Sequence, residues 1–231
     1  MRRHLDRILD EFTPNARVLA AIWSSTPFFL LYLGVHGYAL ASADIRQGLN
    51  VGTMAGLQAW LVLGTVINLV VGFRLWPRCW QDEPADGASL LVCLNIGLAF
   101  TALAVCAGTF TAGTNLILVG VLAIGLMLFE LRPMVIAYLV CVGVMLVHEV
   151  AVLWHGAPYA PALSAGVFVD GRATWWFTAW RQYVLYVGSA ALIGLLLMLF
   201  ARLDRLHENL TRLSYTDGLT GLANRRRFME V

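Results

Sequence analysis

Four stretches of this chain contain no charged residue: 18–43, 47–73, 87–129 and 182–201, of 26, 27, 43 and 20 residues. A membrane-crossing helix needs about 20 apolar residues, because each residue rises about 1.5 Å and the hydrocarbon core is about 30 Å thick. Composition points the same way. Hydrophobic residues make up 59% and charged residues 13% of the 231, whereas a soluble domain carries about 25% charged residues. The expected fold is an all-α integral membrane protein.

Six spans fit these runs. The first covers about 18–40 and the second about 52–74. The 43-residue run is too long for one crossing: as a single helix it would measure about 65 Å. Its break is expected at 108–115, Gly-Thr-Phe-Thr-Ala-Gly-Thr-Asn, which is rich in turn-forming residues. The fourth span then ends at Glu130. Arg132-Pro133 opens a fifth at about 133–154, since proline suits the first turn of a helix. The sixth runs about 177–201.

All 16 basic residues are arginine, and their distribution orients the bundle. With six spans both termini lie on one side. That side holds Arg2, Arg3, Arg7, Arg17, Arg74, Arg78, Arg132, Arg202, Arg205, Arg212, Arg225, Arg226 and Arg227, against Arg46, Arg172 and Arg181 on the other. The excess of positive charge marks the cytoplasmic side, so both termini are expected there. Ahead of the first span, Leu5, Ile8, Leu9 and Phe12 fall at helical spacing among charged residues. Residues 1–16 thus read as a cytoplasmic amphipathic helix able to lie on anionic lipid. The 17 residues before the apolar run argue for an uncleaved span over a signal peptide.

Ionisable groups at membrane depth are costly and therefore candidate sites. His36 lies toward the outer end of the first span, and His148 and Glu149 toward the outer end of the fifth, with His155 seven residues further on. At a similar depth they are candidates to hold a transition metal, a proton or another ligand; the plainer reading is separate interfacial histidines. At the inner side Glu130 and Arg132 flank a tight turn that is a candidate relay. Asn68 and Asn95 suit interhelical hydrogen bonds, and Gly64, Gly72, Gly120 and Gly125 suit close helix packing. Arg181 can snorkel or pair with Asp170. The four cysteines show no metal-ligand spacing and read as small buried hydrophobes. The outer segment 155–176 holds Tyr159, Trp175 and Trp176, with Trp180 just beyond, an interfacial aromatic belt or an apolar binding surface.

Beyond the sixth span the texture changes. Leu199, Leu203, Leu206, Leu210 and Leu213 alternate in steps of four and three, with Arg202, Asp204, Arg205, Glu208 and Arg212 between them. This is a coiled-coil seam over about two heptads, expected on one helix that runs unbroken from about Thr178 to about Ser214. The sequence then reads Asp217-Gly-Leu219-Thr220-Gly221-Leu222-Ala-Asn224-Arg225-Arg226-Arg227-Phe228. These residues resemble the D-x-L-T-G-L-x-N-R-R-x-F opening of GGDEF domains, the catalytic domains of diguanylate cyclases, in which a helical signalling linker precedes the motif. The six-span region loosely resembles the MASE-type membrane sensors found ahead of such cyclases.

The resemblance implies four segments: 1–16 the amphipathic helix, 17–201 a six-span sensor, 202–214 a coiled-coil linker, and 215–231 the start of a GGDEF domain. The GG(D/E)EF loop, metal-binding carboxylates and product-inhibition site would follow residue 231, so no catalytic residue and no cofactor is assigned within this chain. Magnesium or manganese with GTP would belong to the further domain. Expected partners are membrane lipids, a second copy through the linker helix, and an unidentified stimulus or membrane protein, with no nucleic acid. The expected location is a bacterial inner membrane. A small transporter or a purely structural membrane anchor are the competing functions; no internal repeat or midplane charge favours the transporter.

Overall fold

The computed structural model describes residues 13–81, 83–108, 125 and 131–215. The chain is mostly helical. In order come α1 (Pro14–Ala41), the short α2 (Ala43–Arg46), α3 (Val51–Leu75) with a single 3-10 turn at Trp76–Arg78, α4 (Asp86–Ala107), α5 (Leu131–His155) and α6 (Trp175–Tyr215). Among the described residues, four helices are long and apolar enough to cross a membrane: Pro14–Ala41, Val51–Arg78, Asp86–Ala107 and Leu131–His155. They coincide with the first, second, third and fifth expected spans. The uncharged run 182–201 falls within α6. The expected fourth span and the amphipathic helix at the N-terminus lie outside the described residues, except that Gly125 is helical. The chain forms two compact units, one reaching Leu192 and one starting at Ile193. Among the described residues the second contains only the C-terminal part of α6.

Local sequence sets the helix ends. Thr13 caps α1, its Oγ1 accepting the Ala16 N–H at 3.2 Å, and Pro14 fills the first turn. The same hydroxyl donates to the Cys79 carbonyl, and the buried Asn15 amide donates to the carbonyls of Arg78 and Gln81 at 3.2 and 3.3 Å. Asn50 caps α3 through the Thr53 N–H. Gly108 ends α4 with φ 86°, a left-handed conformation that glycine adopts without a Cβ penalty. Inside α1, Pro27 lacks an N–H. Just ahead of it, Ser24 donates to the Ala21 carbonyl, and Ser25 and Thr26 donate to the Ile22 carbonyl. These hydroxyls are satisfied within the helix, as an apolar setting demands.

Within the first unit α1 packs along α3, α3 along α4, and α4 along α5. Val18, Phe29, Leu61, Val92 and Ala99 are wholly buried, while Leu139, Leu146 and Val147 of α5 are exposed. Polar side chains bridge three helices through this core. Asn95 of α4 donates to Asn68 Oδ1 of α3 at 2.8 Å and to the Gly64 carbonyl at 2.9 Å, and Asn68 donates to Ser25 Oγ of α1 at 3.3 Å. Gly64 makes the approach possible: a Cβ there would lie 2.9 Å from the Phe29 ring and 3.0 Å from Asn95 Oδ1. Gly97 serves α4 and α5 likewise, its Cβ position being 2.7 Å from Cys141 Sγ.

One end of the bundle carries a cap, built in part from the segment read as outer from the sequence. Residues 42–50 and 156–174 dock on each other. The Asn50 N–H donates to the Ala162 carbonyl, the Ser164 N–H to Gly48 and the Ser164 hydroxyl to Gln47, each at 2.9 Å. The Ala162 N–H reaches the Cys106 carbonyl on α4. Ile45, Leu49, Met54 and Ala162 form a small apolar cluster beneath, flanked by Trp176. The cap ends in a two-stranded hairpin, β1 (Phe168–Val169) and β2 (Arg172–Ala173), a small exception to the all-α expectation. Asp170 and Gly171 turn it with φ 52° and 72°, the values that a two-residue hairpin turn of matching twist requires.

The polar bridge and the Gly64 approach carry a prediction. Gly64→Ala should cost about 1–3 kcal/mol of stability in detergent, because the Phe29 ring it meets is fully buried. Gly34→Ala, where a Cβ meets nothing within 4 Å, should be neutral. Asn95→Leu should cost about 1–2 kcal/mol, the upper range of interhelical hydrogen bonds in membranes. Thermal unfolding of the purified variants measures all three.

Candidate functional site

The site forms near the capped end, where α6 meets α1. Tyr32 and His36 lie one turn apart on α1 and therefore on one face. Trp180 comes from the second turn of α6. The three rings touch pairwise, with centroids 5.7 Å apart for Tyr32 and His36, 6.0 Å for Tyr32 and Trp180, and 6.1 Å for His36 and Trp180. Phe100 of α4 meets the edge of Tyr32 at 6.3 Å, and Tyr183 stacks on Trp180 at 6.3 Å. His36 is only 6% exposed, and its Nδ1 has no hydrogen-bond partner. A buried polar atom left unpaired costs about 1–3 kcal/mol. Such an atom among aromatic faces can donate to or accept from a small polar group.

The other sequence candidates separate from His36. His148, half-buried on α5, sets its Nε2 3.3 Å from the Tyr159 carbonyl and so fastens α5 to the cap. Glu149 beside it is half-buried, and His155 is exposed as the last residue of α5. Among the described residues no three His, Cys, Asp or Glu side chains form a group able to hold a metal ion. The joint metal site considered for His36, His148, Glu149 and His155 is therefore not assembled. The reason is azimuth: α1 packs chiefly along α3, with a smaller contact to α4, whereas α5 packs along α4.

Arg132 is exposed at the start of α5, and Glu130 lies outside the described residues. Arg181 sits over the Phe177 ring, 5.9 Å from its centroid, so a cation–π contact holds it in place of the anticipated pairing with Asp170. Cys93 and Cys141 are buried, Cys79 and Cys106 half-buried, and all four are free thiols. Leu203 is exposed on α6. Leu199, Leu206, Leu210 and Leu213 lie on the same helix, and the motif from Asp217 to Phe228 lies outside the described residues. Trp180 was read from sequence as part of an interfacial aromatic belt or an apolar binding surface, and Tyr32 was not singled out. Their signal was an aromatic residue one turn before His36 and another at the start of the last helix.

Compared with protein families, characterised proteins and solved structures, the chain matches none.

Two outcomes follow. His36→Phe should keep or raise stability, since it keeps a ring and removes the unpaired nitrogen, whereas His36→Ala should lose about 2–4 kcal/mol through the cavity it leaves. Thermal unfolding in detergent separates them. Metal analysis of wild type and His148→Ala should give equal content, because no three-ligand group includes His148.

Proposed function

We propose that the chain is the sensory and dimerisation module of a membrane-bound diguanylate cyclase. In this reading a GGDEF domain beginning at the segment 215–231 joins two GTP into cyclic di-GMP, using its own magnesium or manganese. The module sits in a bacterial inner membrane with six spans and both termini cytoplasmic. Two features support six. α4 and α5 run in the same direction, both ending at the capped end, so the segment between them is taken as the fourth span. The run 182–201 within α6 is taken as the sixth.

The observation that carries the reading is α6 itself. It is one helix of 41 residues, about 60 Å long, twice the hydrocarbon thickness. It begins beside His36, through Trp180, and ends at Tyr215, two residues before the Asp217 that opens the GGDEF-like motif. A group that pairs with His36 changes the packing of Trp180, and a continuous helix transmits that change as rotation or sliding. Two catalytic domains must meet for the chemistry, so small changes in the paired linkers alter output. A coupling of about 1–3 kcal/mol corresponds to about 5–150-fold.

Three measurements test the reading. Reporter fusions after Asn115 and after Val231 should give opposite sidedness; the same sidedness at both points removes the six-span topology. Residues 1–231 should form no cyclic di-GMP from GTP. Fused in frame to an intact GGDEF domain, they should yield a cyclase whose rate changes at least several-fold on Trp180→Ala or on insertion of four residues after Leu203, and recovers with seven. A fusion indifferent to all three changes would remove the regulatory role and leave an anchor.

A further inference from the structure

Resting on the reading of α6 as the dimerising helix, we propose that the interface between two copies of this chain starts inside the membrane, at Leu185, and runs without interruption to Leu213. The leucine seam does not begin at Leu199. Followed toward the N-terminus in the same steps of three and four, it takes in Leu196, Leu192, Ser189 and Leu185. Eight of these nine positions are leucine, and of the ten leucines between 182 and 215 only Leu195 and Leu197 fall elsewhere. All nine lie on one helix. A strict seven-residue repeat over this length specifies a left-handed supercoil with a partner helix.

Within the first unit α6 packs through a different face. Phe177 and Val184, two turns apart, are 2% and 3% exposed, and Trp180 between them meets Tyr32 and His36. Leu185, the residue after Val184, is 44% exposed. One residue turns a helix by about 100°, so the packing face and the seam are occupied independently. Ser189, the one seam position that is not leucine, is small and carries a hydroxyl, the residue type that lets membrane helices approach and hydrogen-bond across an interface.

A second copy fits the seam better than lipid does. Lipid would cover leucines at any azimuth and imposes no heptad. From residue 202 onward the same seam runs between Arg202, Asp204, Arg205, Glu208 and Arg212, where the proposed topology provides water and the leucines need a protein partner. Two copies inserted in the same orientation present α6 to each other only in parallel. The partner that covers 203–213 is therefore carried in register past Leu196 and Leu185.

Disulfide cross-linking in native membranes tests this on the full 231-residue chain. Cys79 and Cys106 are replaced by Ala, and the buried Cys93 and Cys141 are kept. Single cysteines are then placed along α6, with insertion of each variant checked by membrane fractionation. Leu185→Cys, Leu192→Cys and Leu196→Cys should form dimer on mild oxidation, as should Leu203→Cys. Tyr186→Cys and Leu197→Cys should give several-fold less, although these residues are 68% and 64% exposed, more than Leu185 or Leu196 at 44% and 39%. Cross-linking at Leu203→Cys but not at the three positions from Leu185 to Leu196 overturns the membrane part of the seam and leaves a cytoplasmic linker dimer standing. Equal cross-linking at Tyr186 and Leu197 overturns it as random collision. No dimer at any position overturns both this inference and the dimer on which it rests.

Discussion

The chain of amides from Asn95 through Asn68 to Ser25, closed by the approach at Gly64, sets the geometry on which the rest of the bundle depends. Between helices in lipid there is no hydrophobic drive toward one particular register, because a lipid tail is as apolar as a leucine. A directional bond supplies what burial cannot. Asn95 spends both amide hydrogens, one on Asn68 and one on the Gly64 carbonyl, while Asn68 passes its own donor to Ser25. Three helices are thereby fixed in both rotation and height. On α1 the consequence extends along one stripe, since Ser25, Phe29, Tyr32 and His36 follow one another in steps of four, three and four. Fixing Ser25 therefore fixes His36 about 16 Å further along the helix.

At the capped end that placement meets a second constraint. The cap ties the α1–α3 connection, the end of α4 and the start of α6 together by backbone bonds through 47–50, Cys106 and 162–164. Its density leaves little room for side chains: a Cβ at Gly48 would sit 2.5 Å from the Trp176 ring, and one at Gly166 would sit 2.7 Å from the Gln47 carbonyl. α6 thus starts from a fixed point, and Trp180 is delivered to His36 by the backbone that precedes it. The imidazole Nδ1 is then a buried polar atom of the ring cluster that has no hydrogen-bond partner. It is the place where an added partner would gain a hydrogen bond without breaking one.

The spans were legible because charge is excluded from lipid more strictly than any other residue class, so run lengths, with the turn-forming 108–115 and the Arg132-Pro133 step, locate α1, α3, α4 and α5 to within about four residues. Asn68 and Asn95 were legible for the same reason, as polar groups that apolar surroundings oblige to bond. Helix rotation was not. In a uniformly apolar run the buried and lipid-facing sides carry similar residues, so His36 and His148 read as neighbours in depth although α1 packs chiefly on α3 and α5 on α4. The cap was also hidden. Its bonds are mostly backbone bonds between segments far apart in sequence, and a local signature is the Asp170-Gly171 turn.

A helix that must report a change at one end has to be held firmly enough to respond and loosely enough to move. α6 meets both conditions by dividing its faces. Phe177, Trp180 and Val184 anchor roughly its first three turns against α1 and the cap, and from Leu185 onward the leucine repeat belongs to another face. A straight helix drifts about 20° per heptad against a seven-residue repeat. Over the four heptads from 185 to 213 the seam of an unpaired α6 therefore winds through about 80°, and pairing requires that winding to be taken up as supercoil. The anchor at Trp180 sets the phase at which the winding begins. In the proposed reading, changing the contacts of His36 alters that phase. On the proposed function, the aromatic triad is the phase reference from which the leucine repeat of α6 starts.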